Sequence, residues 1–448
     1  MKVDILISGA GPVGLMSAYL ASQCGLSVVI VDKSKAPLNV GRADALNART
    51  LQLMELAGIF SEIYPLGLPC NTSAVFEKGE FISRQSEWWD ALEGCFHKHF
   101  LMVGQSHIEK ILDQKVNVLR ETEVSDIEIA EEFCLSKLSN GETIESKYII
   151  GADGSRSFVR NKFNISFPIE RPEIVWAVID AEFKTNFPMN PEIVVFQNET
   201  SDVARIPREG NIERFYVRMD RKEFTQEEVM SKIQSAISPY EITIEKLEWF
   251  SQFSVKESVA EKYSIENRIF LSGDACHVHS VNGGQGLNTG LADAFNLIWK
   301  IHMKENFQKD VLESYEGERK PIAHSVIESS GALVRSTKFS EAGTHAKEYM
   351  KIVEKRAGNI TGMGIKYGDH ERLWDFKIGE QRVYSLLNYS KYTLLVSENM
   401  DLQIPPCIQV VFMDETSPYF GKAVLVRPDS YIEKIVDQSD VGKLNIVF

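Results

Sequence analysis

Positive charge is short in this sequence. Its 448 residues carry a formal net charge of −14 at pH 7, which argues against nucleic acid and anionic membrane as main partners. Long apolar runs are missing too, so no segment is expected to span a bilayer. The six cysteines, Cys24, Cys70, Cys95, Cys134, Cys276 and Cys407, are scattered and form no CxxC pair. Their even number permits disulfides, but the pattern predicts a reduced cytoplasmic chain rather than a disulfide framework. No internal repeat or low-complexity segment occurs, and no metal site is expected. Val3–Ser8 opens an apolar run almost at once, which leaves no room for a signal peptide.

What is present is an ordinary globular composition, 44% hydrophobic and 25% charged. At this length two or three domains are expected. The organising stretch lies late, at Leu271–Gly290. The run Ile269-Phe270-Leu271 reads as a strand, followed by Gly273-Asp274 and a loop holding Gly283, Gly284, Gly286 and Gly290. From Leu287 the apolar residues fall at Leu291, Ala294, Ile298 and Ile301, which is helical spacing, with Asn288 and Thr289 in the first turn. A strand, an acid, a glycine loop and a helix N-terminus turn backbone N–H groups toward a negative or electron-rich group. The glycines leave room for something flat.

The other end of the chain supplies a nucleotide site. The strand Val3–Ser8 runs into Gly9-Ala10-Gly11-Pro12-Val13-Gly14, a GxGxxG. A helix follows, then a second strand, Ser27–Val31, that ends at Asp32. Together they make a complete β–α–β dinucleotide unit, with an acid at the strand end to bond a ribose hydroxyl.

Between these ends the signals are weaker. Gly41–Thr50 leads into a helix carrying Leu51, Leu53, Met54 and Leu56; read alone, its Arg42, Asp44 and Arg49 fit a solvated loop with a helix-start acid. Residues 60–100 suggest short strands of a second domain. Ser106 is a plausible N-cap for a helix over His107–Gln114, with Gln105 just before it. A β-meander is expected over Val116–Leu119, Val124–Ile129, Phe133–Leu138 and Tyr148–Ile150, with Asn140-Gly141 as a hairpin turn. It runs into Gly151-Ala152-Asp153-Gly154-Ser155-Arg156. Residues 165–257 alternate β-like runs with a helix near Gln226–Ile237, which predicts an antiparallel sheet. If Arg214–Arg218 is a strand, then Arg214, Tyr216 and Arg218 share a face; an edge strand with a wet face explains them equally well. A long helix is expected over Val311–Val334. Residues 340–448 read as a small α+β tail with strands at Leu394–Val396, Ile408–Phe412 and Ala423–Val426.

Taken together, the chain resembles the single-component FAD-dependent aromatic hydroxylases of the para-hydroxybenzoate hydroxylase fold. Three fingerprints stand in that family's order: GAGPVG at Gly9–Gly14, GADGSRSFVR at Gly151–Arg160 and GDACHVHSVNGGQGLNTG at Gly273–Gly290. YEGERKP at Tyr315–Pro321 is also typical, and the resemblance covers roughly residues 1–335. It implies an α/β fold: a Rossmann-like FAD-binding domain, an inserted antiparallel substrate domain and a small C-terminal region. The implied boundaries are 1–60, 98–165 and 258–335 for FAD, 61–97 and 166–257 for substrate, and 336–448 for the tail.

Carried over by position, Gly9, Gly11, Pro12, Val13, Gly14, Asp32, Lys33 and Val124 resemble residues of the ADP-ribose end of FAD. Arg42, Ala43 and Gln105 resemble residues at the flavin's ribityl and phosphate part, and Asp153 matches a motif tied to both FAD and NAD(P)H. Asp274 matches the acid on the ribityl chain and Gly286, Leu287 and Asn288 the backbone beside the isoalloxazine ring, with Gly273 and Gly284 also expected at the cofactor. One GxGxxG unit exists, which FAD would fill; the resemblance implies NAD(P)H as a transient co-substrate with no Rossmann domain of its own.

The subgroup resembled is phenol hydroxylase and its antibiotic-modifying relatives. Asp44 matches an acid that helps take the phenol proton, and Arg208, Arg214 and Tyr216 match a substrate-side strand. Ser280 and Asn282 depart from the family's commoner residues, and Lys422–Val436 resembles the end of an abbreviated thioredoxin-like tail. The expected activity is hydroxylation of a phenolic ring by NAD(P)H and O2 through a flavin C4a-hydroperoxide, in a monomer or homodimer. Two alternatives stand beside it: the same chemistry on a polyketide or antibiotic, and a flavin-binding redox sensor without hydroxylation.

Overall fold

The computed structural model describes residues 1–197, 203–279, 284–338, 354–398 and 403–444. Ser280, Asn282 and Gly283 of the glycine loop therefore lie outside the described residues.

A parallel sheet forms the base. Its strands run in the order Ile269–Leu271, Thr143–Gly151, Lys2–Ser8, Val28–Val31 and Val118–Leu119, all parallel. The short strand Ser264–Ile265 closes one edge, and the hairpin strands Val124–Ile129 and Cys134–Leu138 hang antiparallel from Thr143–Gly151. Near-continuous apolar runs such as ILI at Ile5–Ile7 suit strands buried on both faces. The meander expected at Val116–Leu119 is corrected here. Its last two residues pair with Val28–Val31, because their partner comes from across the crossover rather than from the next hairpin.

A second, mostly antiparallel sheet stands against the first. Its order is His277–Val278, Ile242–Val259, Ile169–Thr185, Glu213–Met219, Val203–Pro207, Ile193–Gln197, Ser73–Glu77 and Glu80–Gln85. Alternation divides its two faces. Ala177, Ile179, Ala181, Phe215, Val217 and Met219 pack with the helix Gln226–Ile237 in one core. Asp180, Arg214, Tyr216 and Arg218 are thereby turned to the other face. That helix begins with a capping box, Thr225 and Glu228 each bonding the other's backbone N–H.

Residues 60–100 are more mixed than the expected strands. They open with helical turns at Phe60–Ile63 and Tyr64–Leu66 and then contribute to two sheets. One is the antiparallel sheet just described. The other is a three-stranded patch of Ala45–Leu46, Phe100–Met102 and Leu68–Cys70. The tail holds a four-stranded sheet, Ile408–Phe412, Tyr392–Val396, Lys422–Val426 and Ile432–Asp437; the last strand escaped sequence reading because its residues are half exposed. Leu394 and Val396 join the core of the parallel sheet, whereas Leu395, Val424 and Val426 join a separate tail core. None of the described helices is long and apolar enough to cross a membrane.

Candidate functional site

The three fingerprints meet at one place. Ser8 pairs with Gly151 and with Val31, and Gly151 pairs with Leu271. Each of these residues ends its parallel strand, so Gly9, Asp32, Ala152 and Ser272 leave the sheet side by side. The carboxyl ends of such strands are where open α/β sheets bind ligands.

The glycines divide by role. Gly9 has φ +101°, and a Cβ there would overlap the Ala152 carbonyl. A Cβ on Gly14 would overlap the Gly9 carbonyl. A Cβ on Gly290 would lie 2.7 Å from the Val13 side chain, and one on Gly273 2.9 Å from it. Val13 is therefore a packing wedge between the helices Pro12–Gln23 and Gln285–Phe307. Gly11, Gly284 and Gly286 differ, because a Cβ on any of them would meet no atom of the described residues within 4 Å. They leave a cradle at the starts of those two helices, whose N–H groups and dipoles favour anions.

The acids flank this cradle. Asp32 accepts from Ala10 N and Ser34 N, both at 2.7 Å, with Arg120 3.9 Å away. Asp153 accepts from Val159 N at 3.1 Å through Oδ2, while its buried Oδ1 has no hydrogen-bond partner. Burial pushes its carboxyl up, against the pull of the Ser157 hydroxyl and nearby N–H groups. Asp274 is reached by solvent yet lies deep among protein atoms, and that desolvation raises its carboxyl against the charges of His277 and Arg42. The Gly273 turn beside it is held by Asp293, which accepts from Gly273 N at 2.9 Å, His277 Nε2 at 2.6 Å and Arg319 Nε at 2.6 Å. Burial opposes the Asp293 charge, but Arg319 and then His277 hold its carboxyl down at about 2.

Other expected cofactor residues are more scattered in role. Arg42 has φ +66°, with its side chain exposed, and Lys33 is exposed. Gln105 opens the helix Gln105–Asp113 with Gly104 as N-cap, so Ser106 is not the cap. Gln105 Nε2 donates to Glu109 at 2.7 Å, and its backbone N–H donates to the Ala43 carbonyl at 2.9 Å. Val124 and Leu287 have side chains packed in the core, which leaves only backbone to offer. Asn288 lies one turn into a helix that starts at Gln285, earlier than the apolar spacing implied. Its amide donates to the Ala45 and Gly284 carbonyls and accepts from Asn47 N at 2.9 Å. Asn47 and Gln285 both donate to the Ile360 carbonyl, a tie from the tail that no sequence signal announced.

The four expected catalytic residues come together across two sheets. Asp44 precedes the strand Ala45–Leu46 and is buried. Its Oδ2 accepts from Tyr216 OH at 3.2 Å and lies 3.2 Å from Arg214 Nη1. Arg214 Nη1 also donates to Tyr216 OH and to the Arg42 carbonyl. Desolvation, then the Asp44 charge, raises the Tyr216 hydroxyl and keeps it protonated. Arg208 is set back, its fork closed on Glu209 at 2.6 and 2.9 Å. Sequence reading missed the residue behind both arginines. Asp180 takes Arg214 bidentately at 2.6 Å and Arg208 Nη1 at 3.1 Å. The available signal was an acid inside the apolar run VWAVIDAEF, since a charge buried there requires a partner.

This arrangement fits FAD on two observations of the chain itself. The open cradle at Gly11, Gly284 and Gly286 admits a group where a side chain would not otherwise clash, and Asp153 Oδ1 is an acceptor left without a donor.

Comparison with known proteins agrees. A family model described as FAD binding domain matches residues 2–330. Phenol 2-monooxygenase fsqG of Aspergillus fumigatus is 29% identical over 390 residues, covering 82% of this chain and 66% of that protein. The chain thus spans just under two thirds of that relative's length. Rifampicin monooxygenase of Rhodococcus hoagii is 27% identical over 465 residues, covering 97% of this chain and 95% of that protein. The rebeccamycin biosynthetic enzyme RebC with reduced flavin superposes with a TM-score of 0.80 at 19% identity, covering 97% of this chain and 96% of that one, which shows a shared fold. The chain belongs to the FAD binding domain family, with phenol and rifampicin monooxygenases among its relatives.

Proposed function

We propose that this chain is an FAD-dependent monooxygenase that consumes NAD(P)H and O2 to hydroxylate a phenolic ring. The observation that carries the reading is the meeting of Asp44 and Tyr216 at 3.2 Å, with Ala45, next to Asp44, tied through the Asn288 amide to Gly284 of the cradle. Gly9, Gly11, Gly14 and Asp32 would hold the nucleotide end of FAD; Asp274 and the backbone at Gly286–Asn288 would hold the flavin end. Bound FAD supplies electron transfer from NAD(P)H and the activation of O2.

The protein's share is then to orient the ring, hold its proton and keep water away. Asp44 is the base for the substrate hydroxyl. Tyr216, kept protonated, is a donor to the same oxygen rather than a second base. Arg214 holds both in place through one edge of its guanidinium. Burial of Asp44 and Arg214 excludes water from this pole.

A second reading keeps the chemistry and makes the substrate an antibiotic. It is supported by the near-complete coverage of rifampicin monooxygenase. NAD(P)H consumption over a library of phenols and multi-ring compounds, with product mass, decides between the two. Oxidation of NAD(P)H that no compound accelerates would instead favour a redox sensor.

A further inference from the structure

We infer that Asp180 sets substrate specificity: it makes the hydroxyl pole of the site take a phenol with no anionic group beside its hydroxyl. The inference rests on the aromatic reading above and deepens it.

Two cations stand behind that pole, Arg208 and Arg214, and both are buried. Arg214 closes its fork on Asp180 at 2.6 Å and turns only Nη1 toward Asp44, Tyr216 and the Arg42 carbonyl. Arg208 closes its fork on Glu209 and turns Nη1 to Asp180 at 3.1 Å. Burial would raise the Glu209 carboxyl, but bonds from His107 and Arg208 hold it at about 2, so it is charged at neutral pH. Two guanidinium charges thus face three carboxylates, Asp44, Asp180 and Glu209, with the half-buried His107 ring 3.4 Å from Glu209 on the far side from Asp180. Both arginine forks are closed by carboxylates.

An anionic substituent beside the substrate hydroxyl would enter a buried site whose two guanidinium forks are already taken by carboxylates, with Asp44 facing it. The cost is large where water is excluded. A neutral hydroxyl meets no such cost, because Tyr216 can donate to it and Asp44 can accept from it. Among neighbouring cations, Arg42 is exposed, and its charge acts on Asp274 on the cofactor side. Arg218 shares the sheet face but pairs across from Trp176, two residues beyond Tyr216. Asp180 does not touch the substrate; it acts through Arg214.

The test uses two probes that differ by one charge next to the hydroxyl, 2-hydroxybenzamide and 2-hydroxybenzoate. Their dissociation constants are measured by calorimetry on the FAD-loaded protein, so the readout is binding rather than turnover. The wild type should bind the amide about tenfold or more tighter than the carboxylate. Asp180→Asn leaves Arg214 with an unbalanced charge and should shift the ratio toward the carboxylate by about tenfold. Asp180→Glu, which keeps the charge, should restore the wild-type preference. Should Asp180→Asn not fold, Glu209→Gln unbalances Arg208 from the other side and should shift the ratio in the same direction. A wild type that binds the carboxylate as tightly as the amide overturns the inference. So does a ratio unmoved in both neutralised variants. Binding of neither probe, with FAD still held, overturns the aromatic reading itself and the inference with it.

Discussion

The proposed nucleotide end and the proposed substrate end of this molecule are built from different materials. The nucleotide end is backbone: strand ends, glycines and helix starts, each specified by a few consecutive residues. The substrate end is side chains: Asp44 from a loop before one sheet, Asp180, Arg208, Arg214 and Tyr216 from another. A backbone site is local in sequence, and a side-chain site is local only in space. The difference predicts that the two ends can be broken separately.

The largest effects should come from the glycines, and they should differ within one motif. Gly14→Val drives a side chain into the Gly9 carbonyl, against backbone that cannot move. Loss of soluble, folded protein is expected, since such a clash costs more than ~4 kcal/mol. At Gly11 an added Cβ meets none of the described residues within 4 Å, so Gly11→Val starts without the backbone clash of Gly14→Val. It should fold with near wild-type circular dichroism yet bind FAD at least ~100-fold more weakly, because the new side chain takes the pyrophosphate's space. Equal FAD affinity in Gly11→Val and wild type would remove the cradle from the nucleotide site.

Next come the residues of the other end. Asp44→Asn and Tyr216→Phe should leave FAD binding intact and slow hydroxylation by up to ~100-fold. They should also raise the share of NAD(P)H consumed without product. Melting temperature and product per NAD(P)H are to be measured on the same preparations. If both variants lose stability and keep their coupling, Asp44 and Tyr216 are structural residues and the comparison between the ends fails.

A third region sharpens the contrast. Arg49, buried, donates to Tyr384 OH at 2.8 Å and to the Asp429 carbonyl and Ser430 Oγ at 2.9 Å, so the tail is stitched to the helix that follows Asp44. Arg49→Met should destabilise the protein by about 3 kcal/mol through unsatisfied acceptors, with faster proteolysis of the tail. FAD affinity of the folded fraction should be unchanged. A selective loss of FAD would instead give the tail a direct part in the nucleotide end.

These two kinds of site explain what could be read from sequence. GAGPVG, the Asp-Gly run and the Gly-Asp run are each contiguous; the first β–α–β unit follows from chirality and a short connection, whereas Thr143–Gly151 and Ile269–Leu271 return to the same sheet only after long insertions. The face shared by Arg214 and Tyr216 followed from alternation alone. What alternation cannot supply is the partner across the gap: that Tyr216 reaches Asp44, or that Asp180 stands behind both arginines. Val13 and Val124 were expected at the cofactor by position, yet their side chains are packed against protein, because motif matching assigns residues and not the direction in which they point. The Ile360 carbonyl had no signal, since any residue offers one.

The smallest effect expected is a pH dependence that again separates the ends. Glu209 at the substrate end is depressed to about 2 from an ordinary value near 4.5, and Asp293 beside the cofactor turn to about 2 from 3.8. A depressed carboxyl stabilises the folded state fully above its unfolded value and loses that contribution as pH falls toward its folded value. Both groups therefore stabilise the protein at neutral pH and lose that stabilisation between about pH 4.5 and 2. They differ in partners: Glu209 is held by Arg208 and His107, whereas Asp293 is held by Arg319, His277 and a backbone N–H that forms the Gly273 turn. Glu209→Gln should flatten the fall of melting temperature with pH below 4.5 and leave FAD affinity at neutral pH unchanged. Asp293→Asn should flatten it too, but should also weaken FAD, since the Gly273 turn loses its anchor. Identical behaviour of the two variants toward FAD would show that the ends are energetically one site.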